Sequence, residues 1–197
     1  MFDNFLSSKF YEFCTVLTRF IYLTILFLIF SLPFITLGAS LTALTATVRQ
    51  PDYPTFGMFF KTFRENILRG TVIMIFTGFT IIFLAQFWQL ARVIRIGNII
   101  LIFLTIFLIV YNLNAYLFVS ILKKSNITFF RQVFFFTIGT IYKTFFVPII
   151  ALGLAFVLPI IGGWPLLLMG IPMILAIYVR MVKNDVATVL EVVKVID

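Results

Sequence analysis

The chain has 197 residues, of which 62% are hydrophobic and only 11% are charged, and its formal net charge is +8. A soluble domain carries about a quarter charged residues, so this composition excludes an ordinary soluble protein. The excess of Lys and Arg is typical of cytoplasmic loops that face anionic lipid headgroups, and no nucleic-acid partner is expected. The composition predicts one membrane domain over residues 1–197, an all-α polytopic transmembrane helical bundle.

The N-terminal segment, residues 1–14, mixes phenylalanines with charged residues. Asp3 and Glu12 interrupt the approach to the first apolar run, which argues against a cleavable signal peptide. Phenylalanines at four positions are set among these polar residues, a composition typical of a short interfacial helix lying at the membrane surface.

Residues 15–48 contain the first apolar run, which Pro33 breaks before Gly38 and a stretch rich in small residues. The part from Leu37 to Val48 would be about 18 Å long as a helix, against a bilayer core of about 30 Å. Either these residues cross once past a proline kink, or they form a broken hairpin with a short returning segment. In the hairpin model both termini lie in the cytoplasm, and Arg92 and Arg95 are the only cationic residues outside. The positive-inside rule therefore favours the hairpin.

A turn at Gln50–Pro54 is followed by a predicted cytoplasmic amphipathic helix over residues 56–69. Its aromatic face and its charged face alternate with the 3.6-residue period of a helix. One interpretation is an interfacial helix that anchors the fold, and the other is a docking surface for a cytoplasmic partner. The residues of the aromatic face are Phe56, Phe59, Phe60, Phe63 and Ile67, opposite Lys61, Arg64 and Glu65.

Residues 71–122 form a predicted membrane hairpin, and residues 128–180 form a second interfacial helix followed by a second hairpin. The full prediction is five full spans plus one short returning segment, with interfacial amphipathic helices. The cytoplasmic tail, residues 181–197, carries a helical stripe of Val186, Val189, Leu190 and Val193. Such a stripe packs either on the protein's own underside or on a partner.

The most polar group inside a predicted span is Asn112, Asn114 and Tyr116. Asn112 and Tyr116 lie one turn apart on one helix face, and Asn114 points about 160° away from Tyr116. Buried amides in lipid need partners, so this pattern indicates hydrogen bonds between helices. The alternative is a polar lining for a ligand or a partner subunit.

Signals for catalysis are weak along the whole sequence. Cys14 is the single cysteine and there is no histidine, so neither an internal disulfide nor a Cys/His zinc site is expected. The interiors of the spans lack ionisable groups, which argues against ion-coupled transport and intramembrane catalysis. No enzyme activity, cofactor or metal is therefore predicted.

The run Leu32–Ser40, Leu-Pro-Phe-Ile-Thr-Leu-Gly-Ala-Ser, continues through Ala43-Leu44 and Val48-Arg49 to the Phe-rich segment Phe59–Ile67. These residues resemble the YesL-like family of bacterial integral membrane proteins, specifically over residues 20–70. Ala39 stands where the family often has Pro. The resemblance implies a bacterial plasma-membrane protein that accompanies carbohydrate importers of the ATP-driven (ABC) type.

The function expected from these features is a non-catalytic accessory or regulatory membrane subunit of a carbohydrate ABC importer. Its partners would be membrane lipids and the permease subunits. The alternative is a self-sufficient transporter or channel for a neutral solute, built on Asn112, Asn114 and Tyr116. The candidate surface for partner binding or packing comprises Pro33, Gly38, Ala39, Ala43, Phe59, Phe60, Phe63 and Arg64.

Overall fold

The computed structural model describes residues 2–50, 56–91, 97–122 and 127–196. Within these ranges the chain is all-α, as predicted. The helices are α1 (Phe2–Ser31), α2 (Leu37–Arg49), α3 (Phe56–Glu65), α4 (Ile67–Ala91), α5 (Gly97–Ile121), α6 (Ile127–Thr144) and α7 (Phe146–Ile196), with a 3₁₀ turn at Phe34–Thr36. The predicted turn at residues 51–54, and Arg92 and Arg95, lie outside the described residues.

Helix α1 is continuous over 30 residues, so the predicted surface helix over residues 1–14 is not a separate element. Neither glycine nor proline occurs between Phe2 and Ser31, and nothing in the sequence interrupts the helical backbone there. The first predicted span and the N-terminal segment therefore form one rod.

The chain reverses direction at Pro33, as the hairpin interpretation predicted. The Thr36 amide donates a hydrogen bond to the Pro33 carbonyl at 2.8 Å, which closes the turn. After the turn α2 runs back beside α1, and Arg19 Nη2 donates to the Gln50 carbonyl at 2.7 Å although 31 residues separate them. Proline fixes its own φ and lacks an amide donor, so α1 ends and the chain can turn.

Helix α2 occupies the centre of the fold, where it contacts α1, α3, α4, α5 and α7. It has 13 residues, and a run from Gly38 to Thr47 is almost entirely buried. At about 20 Å, α2 is shorter than the roughly 30 Å core of a bilayer. Its central position follows from its small side chains, because neighbouring helices can approach its backbone from several sides.

The predicted helix over residues 56–69 is divided in the structure. Helix α3 ends at Glu65, and Ile67 to Arg69 already belong to α4. At the junction the Asn66 side chain caps the end of α3 by donating to the Thr62 carbonyl at 2.9 Å. The predicted end of this helix was about one turn too late, because Ile67 fits the apolar period of both α3 and α4.

Helix α7 is not a straight rod, although its helical hydrogen bonding extends over 51 residues. A straight helix would separate residues 146 and 185 by about 58 Å. Yet Lys143, three residues before α7, forms a 2.7 Å ion pair with Asp185. The chain folds back at Gly163, whose φ of 72° favours glycine, so α7 consists of two antiparallel arms.

The described residues contain three helices long and apolar enough to cross a membrane: Lys9–Ser31, Ile67–Gln89 and Ile99–Ile121. A fourth is present if Phe129–Thr144 and Phe146–Ile160, which meet at 62°, form one broken span. Several long apolar helices agree with a multi-pass membrane protein, and the count of five full spans stays a prediction.

The tail stripe packs on the protein itself at two of its four positions. Val186 is buried and Val189 is partly buried in a core cluster shared by α4 to α7, where both lie close to Phe118 and Ile121. The side chains of Leu190 and Val193 lie outside the described part of the chain.

Candidate functional site

The predicted elbow begins with an exposed apolar edge. Pro33 is exposed, and its neighbours Leu32 and Ile35 are 83% and 72% exposed. Behind this edge the Thr36 hydroxyl lies 2.7 Å from the carbonyl oxygens of both Phe30 and Pro33. The turn is therefore tied internally while its apolar rim faces outward.

Gly38 lies in direct backbone contact with Gly70 of α4. A Cβ at Gly38 would overlap the Gly70 carbonyl oxygen and lie 2.8 Å from the Met74 Cβ. A Cβ at Gly70 would lie 2.5 Å from the Ala39 amide nitrogen. Both positions therefore require glycine if α2 and α4 are to pack this closely. Sequence reasoning found Gly38 and missed Gly70.

Ala39 and Ala43 pack in the interior of the fold. Both are fully buried, in a cluster with Leu23 of α1 and Leu175 of α7. The buried threonines of α2 bond to their own helix: Thr42 donates to the Gly38 carbonyl at 2.9 Å and Thr47 to the Ala43 carbonyl at 2.6 Å. The hydroxyl groups of these two threonines are thus satisfied within α2, and the surface of the helix is available for close packing.

The aromatic face of α3 is divided between an inner and an outer set. Phe59 is fully buried and Phe63 is 8% exposed, and both rings pack against Phe30 of α1, with centroids 5.4 and 4.8 Å away. Phe60 is 42% exposed and Arg64 is exposed. The structure therefore separates residues that the sequence placed on one surface.

Asn112 and Tyr116 join α5 to α4 through one threonine. The Thr77 hydroxyl lies 2.8 Å from Asn112 Oδ1, to which it donates, and 3.2 Å from the Tyr116 hydroxyl. The Asn112 amide donates in turn to the Leu108 carbonyl of its own helix at 2.8 Å. This pair shares one helix face, as predicted, and that face is occupied by α4.

Asn114 belongs to a second network on the opposite face of α5. Its amide donates to the Thr137 hydroxyl of α6 at 2.9 Å, and its carbonyl accepts from the Tyr178 hydroxyl of α7. All three side chains are fully buried. One asparagine thus connects three helices, and the three predicted polar residues do not form one site.

A cavity of about 410 Å³ lies between α1, the end of α2 and the second arm of α7, and we call it the basic cavity. Four cationic side chains line it, together with Gln50 and five apolar residues, and no carboxylate is among the lining residues that the structure describes. The four are Arg19, Arg49, Arg180 and Lys183. In the sequence these four cations form three groups that are at least 30 residues apart, and each group is typical of the end of a membrane span. The cluster is formed only because α2 and α7 fold back.

Arg49 is the most enclosed of these cations. Its Nη1 nitrogen is buried and has no hydrogen-bond partner among the described residues. Burial lowers the pKa of the Arg49 guanidinium, because desolvation disfavours the charged form, although arginine stays protonated at neutral pH. A buried donor without an acceptor costs about 1–3 kcal/mol, and more when it is charged.

Comparison with known families adds one match. Residues 20–88 match the family model described as "Protein of unknown function, DUF624", which supports membership of that family. The matched range contains the turn at Pro33, all of α2 and α3, and the Gly38–Gly70 contact. Neither the curated proteins nor the solved structures yielded a match.

Proposed function

We propose that the protein is a non-catalytic accessory or regulatory membrane subunit associated with a bacterial carbohydrate ABC importer. Its location would be the plasma membrane, with both termini in the cytoplasm. The proposal that it binds the permease rests on the outer face of α3, which is the best-formed candidate docking surface among the described residues.

The outer face of α3 combines aromatic and cationic groups. The rings of Phe56 and Phe60 stack at 5.9 Å with an interplanar angle of 7°, and both are more than 40% exposed. Lys61 and Arg64 are exposed beside them. Exposed aromatic residues and arginine are the residue types enriched at binding hot spots. On the opposite side of α3, Phe59 and Phe63 pack against Phe30 of α1 and fix the position of the helix.

The importer as partner is supported by the sequence resemblance to the YesL-like family. The accessory role is supported by the way the polar residues inside the bundle are used. Asn112, Asn114 and Tyr116 each hydrogen-bond a neighbouring helix. Such bonds are the usual structural role of polar residues in membrane helices.

The decisive experiment is gentle detergent extraction of the tagged protein from native membranes, with identification of the bound proteins. We expect permease subunits of a carbohydrate importer to be retained. The double variant Phe60→Ala with Arg64→Gln should lose them while keeping its folded state, because both side chains are exposed. A matched control is Phe135→Ala with Arg131→Gln, which removes an exposed Phe/Arg pair with the same spacing from α6.

Retention of the permease by the control and its loss from the α3 variant would support the proposal. Absence of any permease from the wild-type preparation would overturn it. The alternative, a self-sufficient transporter or channel for a neutral solute, is tested by uptake of a neutral sugar into liposomes holding the purified chain alone. Uptake that falls when Asn112, Asn114 and Tyr116 are replaced would favour that alternative.

The orientation of the termini is tested by cysteine labelling in a Cys14→Ser background. Asn184→Cys, at an exposed position of the second arm of α7, should react with a membrane-impermeant maleimide only in inside-out vesicles. Arg92→Cys should react from outside intact cells. Labelling of both positions from the same side would contradict the proposed topology.

A further inference from the structure

The basic cavity has the dimensions of a ligand site. Its volume of about 410 Å³ falls within the range of about 300–1,000 Å³ that is usual for small-molecule sites. Three separate parts of the chain form its walls: the N-terminal half of α1, the C-terminal end of α2 and the second arm of α7. None of the hydrogen-bond networks described above involves its four cations apart from the Arg19–Gln50 bond.

The charge of the cavity is unbalanced. Four cations face a space whose lining, over the described part of the chain, contains no carboxylate. Cations placed close together repel one another, and none of the described residues that line the cavity is an anion that would offset this repulsion. Asp185, which follows Lys183 by two residues, does not line the cavity, because its carboxylate pairs with Lys143 of α6. An anionic ligand would reduce this repulsion.

Two of the cations, Arg19 and Arg49, have N–H donors available to an anionic ligand. Arg19 is fixed by its 2.7 Å hydrogen bond to the Gln50 carbonyl, which uses one of the five N–H donors of its guanidinium. Arg49 presents a buried Nη1 donor that has no acceptor among the described residues. Arg180 and Lys183 are exposed and complete the rim. A positioned donor without an acceptor indicates an acceptor supplied from outside.

We propose that the basic cavity binds a phosphate group. The planar guanidinium fork matches the oxygens of a phosphate in a bidentate manner, and lysine adds a further positive charge. Two guanidinium groups within the wall and two cations at the rim can surround a tetrahedral anion. The phosphate can belong to an anionic phospholipid headgroup or to a free phosphate, and both present the same oxygens.

The apolar part of the wall distinguishes these sources. Val16 and Phe20 of α1 line the cavity, and Val16 is 51% exposed. This exposed apolar surface beside the cations fits the acyl chains of a phospholipid, whereas a free phosphate would contact only the cations. The experiment therefore includes both probes.

The test measures the apparent melting temperature of the full chain in detergent, titrated with each of three probes. These are dioleoylphosphatidylglycerol, dioleoylphosphatidylcholine and inorganic phosphate, the last at ionic strength matched with chloride. A ligand that binds the native state raises the melting temperature as its concentration exceeds its Kd. We expect phosphatidylglycerol to stabilise the protein and phosphatidylcholine to have little effect.

Variants locate the site. Arg49→Gln should weaken phosphatidylglycerol binding at least about tenfold, because it removes charged hydrogen bonds from an enclosed position. Arg180→Gln should weaken it several-fold, and because Arg180 is exposed this variant tests the site even if Arg49→Gln folds poorly. Arg131→Gln, which removes an exposed cation from α6, is the charge-matched control and should bind as the wild type does.

Stabilisation by inorganic phosphate alone, with the same dependence on Arg49 and Arg180, would also support the site and would identify a free phosphate as the source. Equal effects of phosphatidylglycerol and phosphatidylcholine would overturn the proposal. So would equal binding by the Arg180→Gln and Arg131→Gln variants. The outcome is independent of whether a permease co-purifies.

Discussion

Two parts of the molecule are held together by different physical means. Helices α2 and α4 meet backbone to backbone at Gly38 and Gly70, and shape decides whether they fit. Helices α5, α6 and α7 meet around Asn114, whose amide and carbonyl are bonded to Thr137 and Tyr178. The first contact depends on the absence of side chains, and the second depends on particular side-chain atoms.

This difference determines how each part responds to substitution. Overfilling a tight contact forces whole helices apart, so the energetic cost reaches every helix that packs on α2. Removal of one hydrogen bond affects only its partners, and in membrane proteins such a bond is worth about 0.6 kcal/mol on average and up to about 1.7. The α1–α4 part should therefore be the more sensitive of the two.

The largest effect is expected at Phe59, the fully buried ring under α3. Phe59→Ala should lower the free energy of unfolding by about 3–5 kcal/mol, because it leaves a cavity against Phe30. The neighbouring variant Phe60→Ala should change it by less than about 1 kcal/mol, since that ring is 42% exposed. Unfolding by SDS in mixed micelles, followed by circular dichroism, measures both. Equal losses would show that α3 is not anchored as described.

The next effect is expected at the helix contact itself. Gly38→Ala should cost about 1–3 kcal/mol in the same assay, because the new Cβ overlaps the Gly70 carbonyl. Gly78→Ala is the matched control, since a Cβ there meets nothing within 4 Å and improves helix propensity by up to about 1 kcal/mol. If the two alanines behave alike, α2 and α4 are not in close contact.

A smaller effect is expected in the second region. Tyr178→Phe removes the hydroxyl that donates to Asn114 and should cost about 1–2 kcal/mol, because the Asn114 carbonyl loses its partner in a fully buried position. Tyr11→Phe, at a position 74% exposed, should stay within about 0.5 kcal/mol of the wild type. A cost above that of Gly38→Ala would reverse the comparison between the two regions.

The smallest effect is expected for Thr77→Val, which removes the hydroxyl between Asn112 and Tyr116. The cost should be about 0.6 kcal/mol, the average for such bonds between membrane helices. Thr18→Val is the control, because the exposed Thr18 hydroxyl donates within its own helix, to the Cys14 carbonyl. The difference between the two variants isolates the interhelical bond, and no difference would remove it as a stabilising contact.

Several features were predictable because they depend on neighbouring residues. Pro33 ends α1 for local reasons, and the end predicted for the hairpin over residues 71–122 lies within one residue of the end of α5. The opposite directions of Asn112 and Asn114 follow from helical geometry and are confirmed by their separate partners. The predicted boundary between α3 and α4 was wrong, because Ile67 continues the apolar period of α3 past Asn66, where the helix ends.

The candidate sites were less predictable because they join distant residues. Gly70 gave no signal by itself, and its importance follows from Gly38, which lies on another helix. Phe59 and Phe60 are the same residue type and both pack against Phe30, and only the tertiary structure buries Phe59 in the core cluster while leaving Phe60 42% exposed. The basic cavity combines cations that separate helices contribute.

The sequence by itself determined the membrane environment, the helical class and the places where the chain must turn, because composition, apolar periodicity and proline act locally. The tertiary structure decided which helices touch. It placed a short, small-residue helix at the centre, assigned Asn114 to α6 and α7, and gathered four cations around one cavity. These outcomes depend on the fold-back at Pro33 and Gly163, which brings together residues that no local pattern relates.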